Sequence, residues 1–195
     1  MTALSGEYAH FSAGALTGVT ESWEHDGNRL MITFDASAIG SYILDAEIIF
    51  DELIQIFTYS TSDGLSGSYF RDGDRLRIKR VLPGNTRLED TLVGFGNVLL
   101  DLPFLSCKGR TILRMAEQDI VSVYAPLMRA GDRAGDLAKK TVTNIGTETI
   151  NLDDKQISAQ HYQYMRDYWI DENAIVLQAT DELTVMQLVE YSLWE

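Results

Sequence analysis

The stretch that most limits what this chain can fold into is Lys140–Trp194. It reads as four or five strands laid down one after another. Thr141-Val142-Thr143, Glu148-Thr149-Ile150-Asn151-Leu152 and Ile157–Tyr164 are rich in β-branched and aromatic residues, alternate between polar and apolar, and end at polar turns. A polar turn at Asp171-Glu172-Asn173 joins Arg166–Ile170 to Ala174–Thr180. The N-terminal half continues the pattern. Ala15–Glu24 and Arg29–Asp35 flank His25-Asp26-Gly27-Asn28, where Asp-Gly supplies the positive φ of a tight hairpin. Ser41–Phe50 sets Tyr42, Leu44, Ala46, Ile48 and Phe50 on one side, and Leu53–Ser60 repeats the scheme. Turns at Ser62-Asp63-Gly64 and Asp72-Gly73 lead to Asp74–Val81. In that strand Arg75, Arg77 and Lys79 point one way and Leu76, Ile78 and Arg80 the other.

After Pro83-Gly84-Asn85 the pattern loosens. Leu88–Leu105 mixes glycines with apolar residues, Asp119–Tyr124 reads as one more strand, and Leu127–Lys139 reads as a loop with a helical turn. No repeat or linker divides the 195 residues, so one domain is expected over 1–195. The expected fold is all-β, with ten or so strands, little helix, and an antiparallel sheet curled into a barrel, half-barrel or roll.

The net charge of −13 argues against nucleic acid as a partner, because phosphate backbones reward positive charge. It is distributed as about −8 over residues 1–60, +3 over 61–140 and −8 over 141–195. The mildly basic middle is either a local anion site or a strand paired with acidic neighbours. A single cysteine, Cys107, and three scattered histidines give no disulfide and no metal signature, and no cofactor motif is present. Neither Gly94-Phe95-Gly96 nor Gly131–Gly135 has the strand–turn–helix setting of a phosphate loop. With no apolar run of membrane-spanning length and no signal-like N-terminus, a cytoplasmic protein not integral to a membrane is expected.

The long meander, the Asp101-Leu102-Pro103-Phe104 step in an irregular centre, and Tyr168-Trp169-Ile170-Asp171 in the closing half resemble the spiral β-roll proteins. These are the glycolipid-binding family and related bacterial domains of unknown function. The resemblance implies a strongly curved antiparallel sheet with a central groove and affinity for a lipid-like ligand. It supplies no catalytic residues.

Three side-chain groups are candidates for chemistry. Arg75, Arg77 and Lys79 form a basic face suited to an anionic headgroup. His161 with Tyr162, Tyr164, Tyr168 and Trp169 is the densest aromatic cluster, able to line a groove or to form the curved sheet's core; within one strand His161 lies opposite Tyr162 and Tyr164. Asp167, Asp171 and Glu172 offer carboxylates for acid–base work, and Cys107 beside Lys108 is a candidate activated thiol. The reading is a non-catalytic binding module for an amphipathic or lipid-like small molecule, with Arg75, Arg77, Lys79, His161, Tyr162, Tyr164 and Trp169 as ligand contacts. The alternatives are a hydrolase using His161 and a carboxylate, or a protein-interaction domain forming a homodimer.

Overall fold

The computed structural model describes residues 3–152 and 155–194. An N-terminal meander of eight strands runs β1 (Ala3–Ser12), β2 (Ala15–Asp26), β3 (Arg29–Asp35), β4 (Ile43–Phe50), β5 (Ile54–Thr61), β6 (Ser66–Asp72), β7 (Arg75–Leu82) and β8 (Thr86–Val93). A central segment follows with β9 (Leu99–Leu100), helix α1 (Leu105–Ala116), β10 (Val121–Pro126) and β11 (Gly135–Lys140). The closing meander is β12 (Thr143–Leu152), β13 (Lys155–Tyr164), β14 (Arg166–Ile170), β15 (Val176–Thr180) and β16 (Thr184–Trp194). The last strand pairs with the first, which joins both meanders into one antiparallel sheet of thirteen strands with free edges at β12 and β8. The fold is all-β, and the sheet is not closed.

Alternation fixes which side faces inward. Leu30, Ile32, Leu44, Ala46, Ile48, Phe57, Tyr59, Tyr69, Leu76 and Ile78 are all buried on one face. The curvature follows from distances. Phe104 stacks edge-on against Phe57 of β5 at 6.2 Å, while Lys108, one turn further along α1, sits 5.9 Å from the Tyr164 ring of β13. Eight strand spacings separate β13 from β5 in the sheet, roughly 38 Å if it were flat. One helical turn spans both only because the sheet wraps around it.

The wrapped hollow is therefore filled by the chain's own central segment. Four polar attachments hold it there. Glu21 of β2, fully enclosed, accepts the backbone N–H groups of Leu105 (2.9 Å) and Ser106 (2.8 Å) at the start of α1. Arg71 donates to the carbonyls of Ile54, Phe95 and Val98, and Arg80 to those of Arg129, Gly131 and Arg133. Lys108 pairs with Asp101, whose other oxygen accepts the Tyr164 hydroxyl at 2.5 Å. Burial pushes the Glu21 carboxyl up, against the N–H donors that pull it down.

Three stretches differ from what the sequence alone suggests. Leu105–Ala116 is a helix, although its first N–H groups are met by Glu21, 84 residues away in sequence. Its Gly109 lies where a Cβ would sit 2.0 Å from the Ala174 carbonyl, so close approach to the β14–β15 turn requires glycine at a cost in helix propensity. The stretch read as a loop, Leu127–Lys139, ends in β11, which pairs with β10 from Val121↔Lys140 to Pro126↔Gly135. Thr141 and Val142 precede the closing meander, whose first strand begins at Thr143.

Candidate functional site

The basic strand presents Arg75, Arg77 and Lys79 on the outer, convex face, exposed, while Leu76, Ile78 and Arg80 are buried on the inner one. Arg77 pairs with Asp72 at 2.5 Å and Lys79 with Glu89 at 3.6 Å. Both pairs are exposed, and such pairs contribute about 0–1 kcal/mol. The central groove implied by the resemblance does not receive these side chains, because the concave side is occupied by α1 and the small sheet of β9, β10 and β11.

The aromatic cluster splits between faces. Tyr162 and Tyr164 are buried inside. His161 and Trp169 are cross-strand partners on the outer face, with ring centroids 4.5 Å apart and planes within 16°. Nδ1 of His161 lies 3.0 Å from Glu148 on β12, Nε2 lies 2.9 Å from Asp167 on β14, and the Trp169 Nε1–H donates to Glu148 at 2.9 Å. Both imidazole nitrogens are thus committed to carboxylates. Burial alone would lower the His161 pKa, but the hydrogen bonds and charges of Glu148 and Asp167 outweigh it and raise the value. When protonated, the ring donates to both carboxylates and ties three strands together, with neither nitrogen left without a partner.

A pH dependence follows. His161 contributes stability that is complete below the ordinary histidine value of about 6.5 and is lost as pH rises through the raised folded value. Burial lowers the pKa of His10 and His25, so those two act only below that range. Melting temperature is expected to fall in the parent as pH rises above about 6.5, and His161→Gln to flatten that slope. An unchanged slope in the variant would remove the imidazolium from the account.

The other chemical candidates serve structure. Asp171 accepts the backbone N–H groups of Asn173 (2.9 Å) and Ile175 (2.8 Å) and so shapes its turn. Cys107 is enclosed, and burial pushes its thiol up to about 12 despite the Lys108 charge, so it is not an activated thiol.

Sequence reasoning missed a concavity with an apolar floor. Between the C-terminal half of β8 and the chain leading into β11 lies an open groove of about 640 Å³, lined by Asp90–Phe95, Val98, Tyr124, Asp132–Gly135 and Leu137. Phe95, Val98 and Tyr124 form a buried apolar floor, with Phe95 and Tyr124 packed edge to face at 5.5 Å. Val93 (73 % exposed) and Leu137 (64 % exposed) stand on opposite rims among Asp90, Asp132 and Arg133. Arg80 fixes one wall from beneath through the Arg129, Gly131 and Arg133 carbonyls, and the Tyr69 hydroxyl holds the Ala134 carbonyl at 2.8 Å. An Arg on the apolar side of Asp74–Val81 was the available signal, since a guanidinium on a core face must find acceptors.

No known protein family and no curated protein matches the sequence. Among solved structures, PNGF-II is similar over 100 % of this chain and 28 % of its own length, with 9 % identity and a TM-score of 0.36. The chain thus spans under a third of that protein. A DUF1329 family protein from Desulfovibrio piger is similar over 97 % of this chain and 84 % of its own, with 10 % identity and a TM-score of 0.27. Among the described residues no helix is long and apolar enough to cross a membrane.

Proposed function

We propose that this protein is a non-catalytic binding module for an amphipathic, lipid-like small molecule, taken up in the groove between β8 and the 132–137 segment. The observation that carries the reading is the pairing of an apolar floor, Phe95, Val98 and Tyr124, with a rim of charged and exposed apolar side chains. A groove of this size falls within the few-hundred to about 1,000 Å³ of small-molecule sites, and its open side suits a ligand that keeps a polar end in water. Arg133 stands at the rim paired with Asp136, and an anionic headgroup would compete with that carboxylate for it. Asp90 and Thr91 also line the outer hollow of Arg75, Arg77 and Lys79, so that basic face lies across the same strand. The hydrolase reading has less support, because His161 has both nitrogens engaged.

The test is thermal shift with lauric acid and with a single-chain phospholipid below its micelle concentration, beside a mass spectrum of organic extracts of the purified protein. A ligand at a hundredfold excess over its dissociation constant stabilises by about 2.7 kcal/mol, roughly 5–10 °C for a chain of this size. Val93→Asp with Leu137→Asp, both at exposed positions, is expected to abolish the shift while leaving the unliganded melting temperature nearly unchanged. No shift in the parent, or an equal shift in the variant, would refute the groove as the site.

A further inference from the structure

We propose that the N-terminal half of β8 is a self-docking edge, through which two copies of this chain pair antiparallel about a two-fold axis at Leu88. β8 ends the thirteen-stranded sheet and is regularly paired along its length with β7, with no bulge and no proline inside it. The opposite edge, β12, is interrupted by a register shift between Asn144 and Gly146, with Gly146 at φ +128°. Irregularity of that kind blunts an edge, and β8 lacks it.

The orientation of the free backbone groups fixes which registers are open. The Thr91 N–H donates to its neighbour's Asp90 carboxylate at 2.7 Å and so points away from β7. By the period of two, Arg87, Glu89 and Thr91 present their N–H and C=O groups outward, and a partner strand must match odd residues to odd. A two-fold at Glu89 sets Glu89 against its own copy. One at Asp90 sets the two Asp90 side chains against each other. The register centred on Leu88 places Arg87 opposite the other copy's Glu89, twice, and packs Leu88 on Leu88 in the closely spaced non-hydrogen-bonded position.

Charge complementarity is therefore built into three consecutive residues. Arg87 is exposed and makes no ion pair among the described residues, while Glu89 has only the loose, exposed contact with Lys79. This half of β8 is also clear of obstruction, because the groove wall at 132–137 faces Asp90–Gly94. The pairing does not depend on what the groove binds. It extends one open sheet into a continuous sheet of two copies, an isologous contact that closes on itself.

Sedimentation equilibrium over a wide concentration range tests it. The parent is expected to show a reversible monomer–dimer equilibrium that weakens with salt. Arg87→Glu and Glu89→Arg, each at an exposed position, are each expected to raise the dissociation constant about tenfold or more by placing like charges opposite one another. Mixing the two variants sets a pair of glutamates on one copy against a pair of arginines on the other and is expected to restore the dimer as a heterodimer. A parent that stays monomeric, a dimer indifferent to both substitutions, or a mixture no stronger than its components would each overturn the proposal. Melting curves of the single variants confirm that they fold.

Discussion

Replacing Arg80 by Met is expected to destabilise the protein by about 2–4 kcal/mol, a drop in melting temperature of roughly 5–15 °C, and to abolish ligand uptake by the groove. Arg80 is 1 % exposed and is the largest fully buried side chain among the described residues. Its fork donates to three backbone carbonyls in the 129–133 loop. Methionine fills much of the volume but leaves those carbonyls without their charged donor, and a hydrogen bond to a charged group contributes about 1.5–3 kcal/mol. Arg80→Lys keeps the charge yet lacks the planar fork, so an intermediate loss is expected. The checking measurements are thermal unfolding and hydrogen exchange. Exchange should rise selectively in the segment running into β11, and a uniform change across the sheet would count against Arg80 as the anchor of that wall.

Lys108→Met should cost about 3–5 kcal/mol, because it strands a carboxylate in the interior. Lys108 and Asp101 have side chains 7 % and 8 % exposed, and with the ammonium gone Asp101 keeps only the Tyr164 hydroxyl. Adding Asp101→Asn removes the stranded charge and still accepts from Tyr164. The double variant is therefore expected to recover most of the loss, giving a large coupling in a double-mutant cycle. Additive losses in chemical denaturation would contradict a buried pair. The same experiment reports on how α1 is held, since Lys108 lies on the helix and Asp101 on the segment that leads into it.

The strands were legible because their information is local. Asp26-Gly27 places the β2–β3 hairpin, with Gly27 at φ +61°, and alternation in Ile43–Phe50 assigns the buried side of β4. The split of β7 into a basic outer side and an apolar inner side is likewise visible from spacing alone. What decides the interior is not local. The helix is capped by Glu21 of β2 and its Gly109 is demanded by Ala174, and both of those partners lie far outside Leu105–Ala116. The same holds for the sites. His161 met its two carboxylates through strand pairing, with Asp167 six residues away and Glu148 thirteen. The groove joins residues 90–98 to 124–137 across the filled hollow, and only Arg80, a charge on a core face, hinted at it.

The most direct measurement is an amide NMR titration of the protein with the single-chain phospholipid below its micelle concentration. Shifts are expected to be confined to Asp90–Phe95, Val98, Tyr124 and Asp132–Leu137. Shifts centred on Arg75, Arg77 and Lys79 or on His161 and Trp169 without the groove, or no shifts at saturating phospholipid, would contradict the groove as the site.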